Sequence, residues 1–186
     1  MAAPSAWVRR HAALIRPGGR VLDLACGSGR HARLLRDLGH AVVAVDRDAL
    51  ALASLEGEAR IEVLRADLES APWPFLPGAF DAVVVCNYLH RPLFGFLREV
   101  ICEGGVLIYE TFAVGNERHG RPSNPAFLLR QDELWELVAP LQVVAFEQGV
   151  IRTPKTAVVQ RICAVRTSEA IDIEGGWPVA ERGALG

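Results

Sequence analysis

The architecture of this chain follows from a single segment, Val21-Leu22-Asp23-Leu24-Ala25-Cys26-Gly27-Ser28-Gly29-Arg30-His31-Ala32. The segment begins with a mostly apolar run that is typical of a buried strand. Gly27 and Gly29 predict a tight turn that allows backbone to approach a ligand closely. A helix is expected to start directly after this turn, and its first amides offer hydrogen-bond donors and the positive end of a dipole. The segment therefore predicts a strand–turn–helix unit that binds a nucleotide-containing cofactor.

Composition limits the class of protein. The chain has 186 residues, 51% of them hydrophobic, and a formal net charge of -2, which fits one globular domain with a substantial core. This charge argues against a general nucleic-acid binder. The sequence shows neither a secretory leader nor an apolar run long enough for a membrane span. The four cysteines have no paired spacing, so we expect free thiols, no zinc site and a cytoplasmic location.

Strands and helices are predicted to alternate along most of the chain. The pattern predicts strands at 20–25, 41–45, 61–65, 80–86 and 106–110, and helices at 5–16, 30–38, 48–56 and 92–102. A polar loop at 115–125, a helix at 131–139 and two strands at 142–146 and 156–165 follow. The last two strands are too close for a helical crossover and predict an antiparallel hairpin.

The expected fold is α/β, a Rossmann-like, doubly wound, mostly parallel seven-stranded sheet with a C-terminal antiparallel hairpin and helices on both faces. We expect one domain at 1–167 and an irregular tail at 168–186.

Two cofactors compete for the glycine turn. Gly27-x-Gly29-x-x-Ala32 fits the dinucleotide fingerprint, and Asp46 lies near the distance expected for a ribose-binding acid, so an NAD-dependent oxidoreductase is one interpretation. Asp23 argues against it, because a carboxylate inside the first strand repels a pyrophosphate and attracts an ammonium or sulfonium group. Asp67 after the third strand and the closing hairpin also favour a positively charged, adenosine-containing ligand.

These residues resemble a known family. Residues 21–29 resemble the first motif of class I S-adenosylmethionine-dependent methyltransferases, and residues 80–90 resemble their fourth motif. Asp46 and Asp67 match the acids that these enzymes carry after the second and third strands. The resemblance covers residues 5–166, and in overall shape the compact chain looks like the small tellurite-resistance type of methyltransferase. Ala25 stands where the family usually has Gly, and Ala suits the turn if its φ is negative.

The resemblance implies which residues hold S-adenosylmethionine. They lie in the glycine turn and at the ends of the strands: Asp23, Ala25, Cys26, Gly27, Gly29, Arg30, Asp46, Arg47, Asp67, Leu68, Cys86 and Asn87. It implies that Asp46 accepts both ribose hydroxyls and that Asp67 reads the adenine edge. Asp23 and Arg30 would meet the amino group and the carboxylate of the methionine portion. As alternatives, Asp46 and Asp67 are ordinary helix caps or turn formers, and Arg30 is a solvated helix residue.

The acceptor side is less specific. Methyl transfer is an in-line displacement that mainly needs alignment and exclusion of water. The catalytic candidates are Asn87, Tyr88 and His90, which follow the fourth strand and lack the Asn-Pro-Pro-Tyr signature of nucleic-acid amino-methyltransferases; His90 is equally well interpreted as closing its strand and capping the next helix.

The loop at 116–124 is expected over the pocket. Its Arg118, His119 and Arg121 favour an anionic small molecule as the acceptor, and the alternative is a solvated connection.

The sequence thus predicts an S-adenosylmethionine-dependent methyltransferase acting on a small-molecule, anionic acceptor. One alternative is the NAD-dependent oxidoreductase, which would lack a Tyr-x-x-x-Lys pair because the sole lysine, Lys155, lies in the late hairpin. Another is a non-catalytic partner subunit that binds S-adenosylmethionine. The sequence leaves the acceptor atom and the oligomeric state open.

Overall fold

A computed structural model describes residues 2–171 and contains a seven-stranded sheet. The strands are β1 (Arg20–Leu24), β2 (Ala41–Asp46), β3 (Ile61–Arg65), β4 (Phe80–Cys86), β5 (Ile101–Phe112), β6 (Gln142–Ile151) and β7 (Ala157–Val165). The helices are α1 (Ala6–His11), α2 (Arg30–Asp37), α3 (Ala49–Ala53), α4 (Phe94–Val100) and α5 (Glu133–Val138). Single 3-10 turns lie at Ala12–Leu14, Arg91–Leu93, Asn116–Arg118 and Pro125–Phe127.

The strand order is β3-β2-β1-β4-β5-β7-β6. The first five strands run parallel, and β7 pairs antiparallel with both β5 and β6. The order reverses at β1, so the carboxyl ends of β1 and β4 flank the crevice where open α/β sheets bind ligands. The predicted fold class and hairpin are confirmed.

Helices cover both faces of the sheet because its central strands are apolar on both sides. All seven residues of β4 are buried. Alternate strand residues such as Leu22 and Val83 pack with α4 and α5 in one cluster. Their neighbours Val21 and Val84 pack with the first three helices in another. Burial on two faces explains why these strands read as continuous apolar runs.

Side-chain caps fix the start of two helices. Ser5 Oγ accepts hydrogen bonds from the amides of Trp7 and Val8 at the start of α1. Asp48 accepts from the amides of the first turn of α3. The helix predicted at 5–16 passes into a 3-10 turn after His11, and the helix predicted at 48–56 already ends at Ala53.

The predicted boundaries are wrong at three places in the second half of the chain. The helix expected at 92–102 ends at Val100, because Ile101 is extended and begins β5. The start of α5 is delayed by Asp132, whose φ of 59° is incompatible with a helix. The hairpin strand β6 continues to Ile151, since its pairing with β7 persists well beyond Phe146.

The structure describes only the first part of the irregular tail that was predicted at 168–186. Residues 168–171 contain no helix or strand, and residues 172–186 of the expected tail lie outside the described residues. The domain boundary at 167 stays a prediction. Within residues 2–171, none of the helices has the length and apolar character needed to cross a bilayer.

Candidate active site

A cleft of about 460 Å³ opens at the carboxyl ends of the parallel strands. Its lining comes from the turn after β1, the ends of β2 to β5 and the segment after β5: Ala25, Asp46, Arg47, Ala66, Asp67, Leu68, Glu69, Asn87, Tyr88, Leu89, Thr111, Phe112, Pro122 and Phe127. Of the residues predicted for the site, the cleft brings together Ala25, Asp46, Arg47, Asp67, Leu68, Asn87 and Tyr88. The other predicted residues do not line it: Asp23, Cys26, Gly27, Gly29, Arg30, Cys86, His90, Arg118, His119 and Arg121.

The turn after β1 uses left-handed backbone at alternate positions. Ala25, Gly27 and Gly29 have φ values of 53°, 55° and 75°. The sequence made a negative φ the condition for Ala25 to suit the turn, and the structure does not meet that condition. An alanine here carries a strain that a glycine does not.

Ala25→Gly is accordingly expected to stabilise the protein by about 0.5–1 kcal/mol. Relief of left-handed strain contributes about 1–2 kcal/mol, and the greater freedom of glycine in the unfolded chain removes about 0.4–1 kcal/mol of that. Urea denaturation measures the difference. Ala51→Gly, inside α3, is the control and should lower stability by about 0.5–1 kcal/mol. Equal destabilisation by both substitutions would contradict the strain at Ala25.

Asp46 joins the glycine turn to the end of β2. Its Oδ2 accepts a hydrogen bond from the Gly27 amide at 2.7 Å, and its Oδ1 accepts one from the Asp48 amide at 3.0 Å. These two bonds fix the carboxylate at the rim of the cleft, where its remaining lone pairs can accept from ligand hydroxyls. Asp46 therefore both stabilises the glycine turn and lines the cleft.

Asp67 lies after β3 at the same end of the cleft. The Glu69 amide donates to its Oδ1 at 3.1 Å. That bond and the Ser70 hydroxyl lower the pKa of Asp67. The carboxylate is an acceptor only, as required to bind an amino group.

Asp23 is placed differently from the expectation. The side chain is only 1% exposed and lies behind the glycine turn, outside the cleft lining. Its carboxyl group accepts from the Ala32 amide in α2, and its Oδ2 has no hydrogen-bond partner among the described residues. Burial is the main cause that raises the pKa of Asp23 to about 7. The first strand thus buries a carboxyl group that is easily protonated.

The buried Asp23 predicts a specific pH dependence of stability. Its folded-state pKa lies above the unfolded value, so its stabilising contribution is complete at low pH and is lost as pH rises towards 7. Between pH 5 and pH 7, the free energy of unfolding of the parent protein should fall by about 2 kcal/mol relative to that of Asp23→Asn. Urea denaturation at both values tests this, with the exposed carboxylate variant Glu56→Gln as control. Parallel pH profiles for parent and Asp23→Asn would show that Asp23 does not carry the effect.

Arg30 and Cys86 meet on the α1 side of the sheet. Arg30 Nη2 lies 3.4 Å from Cys86 Sγ, and Nη1 donates to the Ala3 carbonyl at 3.4 Å. Glu110 lies on the same side of the sheet, and its Oε1 accepts a hydrogen bond from Ser5 Oγ at 2.9 Å. Burial raises the pKa of the Cys86 thiol to about 12. The N-terminal segment thus contacts the residue predicted to meet the methionine carboxylate.

The three catalytic candidates occupy different surroundings. Asn87 has a φ of 60° and lines the cleft with Tyr88, whose carbonyl accepts from the Tyr109 hydroxyl at 2.7 Å. Burial raises the pKa of Tyr88, with the nearby Glu69 carboxylate adding to the effect. His90 lies outside the lining, with Nδ1 4.0 Å from Glu69 Oε2. Their catalytic roles stay predictions.

The loop expected over the pocket contributes other residues than those predicted. Arg118, His119 and Arg121 are exposed and outside the cleft lining. Asn116 is buried, donates to the Pro122 carbonyl at 2.9 Å and accepts from the Val158 amide at 3.2 Å. These bonds hold the loop against β7, and the lining receives Pro122 and Phe127 instead of the cationic residues.

Sequence reasoning missed several lining residues, above all Glu69, Leu89, Pro122 and Phe127. Glu69 had a usable signal, because it follows two predicted cofactor residues directly. Phe127 had none, since its place in the cleft depends on how the segment after β5 folds back.

The strand order, the glycine turn and the acids after β2 and β3 define a Rossmann-like fold of the methyltransferase type. Residues 21–102 match the family model described as "Methyltransferase domain". Over these residues the chain is similar to S-adenosylmethionine-dependent methyltransferases, and this similarity favours the methyl donor over NAD.

Two relatives show the extent of the similarity. The ribosomal protein L11 methyltransferase of Thermus thermophilus is 39% identical over 98 residues, which cover 49% of this chain and 37% of the relative. A malonyl-[acyl-carrier protein] O-methyltransferase of Serratia marcescens is 31% identical over 105 residues, covering 54% and 41%. The chain thus spans less than half the length of both curated relatives.

Solved structures agree on the fold. TehB from Haemophilus influenzae has a TM-score of 0.76 at 19% identity, with 89% of this chain and 63% of that one covered. The glycopeptide N-methyltransferase MtfA, complexed with S-adenosyl-L-homocysteine, has a TM-score of 0.63 at 20% identity, with 89% and 90% covered. The expected similarity to the small tellurite-resistance type of methyltransferase is confirmed at the level of the fold.

Proposed function

We propose that this chain transfers a methyl group from S-adenosylmethionine to an acceptor bound in the cleft. The observation that carries the proposal is the fixed Asp46 carboxylate, held by the amides of Gly27 and Asp48 at the cleft rim. Asp67 lies on the next strand end in the same cleft. Acceptor-only groups at these places suit ribose hydroxyls and an adenine amino group.

The residues also fit the charge of the methyl donor. Carboxylates predominate among the charged side chains of the cleft, which opposes a pyrophosphate and favours a sulfonium. The bound donor would supply an electrophilic methyl group on sulfur. We assign Asp46 and Arg47 to the ribose side and Asp67 and Leu68 to the adenine side. Ala25, which follows β1, and Asn87, which follows β4, complete the cofactor portion of the lining.

The chain contributes alignment and exclusion of water to the reaction. Thr111, Phe112 and Phe127 line the cleft beyond Asn87 and Tyr88, so the acceptor would be held among mostly apolar groups. Orientation of the attacking atom and removal of its hydration lower the barrier of an in-line displacement. A base is needed only for an acceptor that arrives protonated.

A small molecule is the acceptor that we propose. The support is the cleft itself: about 460 Å³ must admit both the donor and the acceptor, and such volumes are typical of small-molecule sites. The two curated relatives are named for a ribosomal protein and for malonyl-[acyl-carrier protein], so turnover assays should include protein acceptors. We also propose a cytoplasmic location, which the four free cysteines support.

Calorimetry with S-adenosyl-L-homocysteine and NAD tests the cofactor. We expect the former to bind at least 100-fold more tightly, and equal or tighter binding of NAD would overturn the proposal. Transfer of a labelled methyl group to a panel of small-molecule and protein acceptors tests catalysis. Binding with no transfer to any acceptor would support the non-catalytic partner subunit instead.

A further inference from the structure

The charge of the cleft does not fit the anionic acceptor expected from the sequence. Among the lining residues, Asp46, Asp67 and Glu69 are carboxylates, and Arg47 is the only cation. The cationic residues of the loop after β5 lie outside the lining. An anion entering this cleft would lose hydration and meet an excess of negative charge. An acceptor that carries positive charge before reaction would be attracted.

Glu69 differs from the other two carboxylates of the cleft. Asp46 and Asp67 accept hydrogen bonds from backbone amides. Across residues 2–171, Glu69 forms no ion pair with Arg or Lys; it accepts a hydrogen bond from the Tyr88 hydroxyl, and its Oε2 lies 4.0 Å from His90 Nδ1. By contrast, Glu133 is paired with Arg91 at 2.7 Å.

The side chain of Glu69 is 38% exposed and lines the cleft. It is therefore a carboxylate that a ligand can reach and that no described Arg or Lys neutralises.

A site for an organic cation needs apolar or aromatic surface as well as a carboxylate, and the walls of the cleft supply this surface. Tyr88, Phe112 and Phe127 present aromatic rings, and Leu89 and Pro122 add apolar surface. Aromatic faces attract ammonium groups and bury the apolar body that carries them. A carboxylate beside such walls matches an amine on an aromatic or aliphatic body.

We propose that the methyl acceptor is an amine borne on an aromatic or aliphatic body, and that Glu69 binds its nitrogen and takes its proton. This inference rests on the proposed methyltransferase function. An ammonium has no free lone pair, so one N–H proton must first pass to a Glu69 carboxylate oxygen. The nitrogen lone pair then forms the N–C bond while the C–S bond breaks and its electron pair stays on sulfur. The products are the methylated ammonium and a neutral thioether.

A matched pair of probes tests the inference without knowledge of the natural acceptor. Benzylamine and benzoate have the same ring and opposite charges at pH 7. Each is titrated into ¹⁵N-labelled protein saturated with S-adenosyl-L-homocysteine, and amide shifts are followed at Asn87, Phe112 and Phe127. We expect an apparent Kd at least 5-fold lower for benzylamine than for benzoate. In Glu69→Gln this preference should disappear, whereas Glu56→Gln, with an exposed carboxylate elsewhere, should keep it.

Three results would overturn the inference: benzoate binding as well as benzylamine, neither probe shifting the cleft amides, or an unchanged preference in Glu69→Gln. Calorimetry on the same samples separates this failure from that of the proposed function. If S-adenosyl-L-homocysteine binds and the amine preference is absent, the acceptor class alone is wrong. If it does not bind, the methyltransferase proposal fails, and the acceptor inference fails with it.

Discussion

Asp46→Ala is expected to weaken binding of S-adenosyl-L-homocysteine by about 30- to 1000-fold, equivalent to about 2–4 kcal/mol. The carboxylate would bind two vicinal hydroxyls by charge-assisted bonds, and these are stronger than neutral ones. It also accepts from the Gly27 amide at 2.7 Å, so its loss frees the glycine turn. Calorimetry at a temperature where the variant remains folded measures the effect.

Two control variants separate the causes of this loss. Asp46→Asn keeps an acceptor oxygen for the Gly27 amide and removes the charge, so its affinity should lie between those of the parent and Asp46→Ala. Glu56→Ala removes an exposed carboxylate that does not line the cleft and should leave the affinity unchanged. Parental affinity in Asp46→Ala would show that the ribose is not bound at the end of β2.

Gly29→Ala is expected to destabilise the fold by about 2–5 kcal/mol. Gly29 has a φ of 75°, where alanine costs about 1–2 kcal/mol. A β-carbon there would also lie 2.5 Å from Leu55 Cδ1 and 2.8 Å from its Cγ. Leu55 is fully buried, and overpacking of a buried side chain costs about 1–3 kcal/mol. Urea denaturation measures the sum.

Gly57→Ala isolates the backbone part of this effect. Gly57 has a φ of 78° and no atom within 4 Å of an added β-carbon, so only the cost of about 1–2 kcal/mol for left-handed backbone applies. The difference between the two variants is the steric clash with Leu55. If both lose the same stability, the tight packing of the turn against Leu55 is not what requires a glycine at position 29.

The two ends of the cleft differ in how far they could be predicted. Asp46 and Asp67 were found because each ends a strand, and the ends of parallel strands meet at one edge. Glu69 was missed because its importance lies in having no Arg or Lys partner among residues 2–171, which requires the positions of all neighbouring cations. Arg118 and Arg121 were overvalued because a loop sequence does not show which of its side chains face a cleft.

The sequence by itself determined the seven-stranded α/β fold and the carboxylates after β2 and β3 that line the cleft. Periodicity, turn glycines, caps and strand-end acids are local signals, and each one fixes structure within a few residues. Only the tertiary structure decided the left-handed backbone of Ala25, the burial of Asp23 with its raised pKa, and the accessible charge of Glu69. Each of these depends on contacts between segments distant in sequence, because burial and charge pairing arise only when those segments pack together.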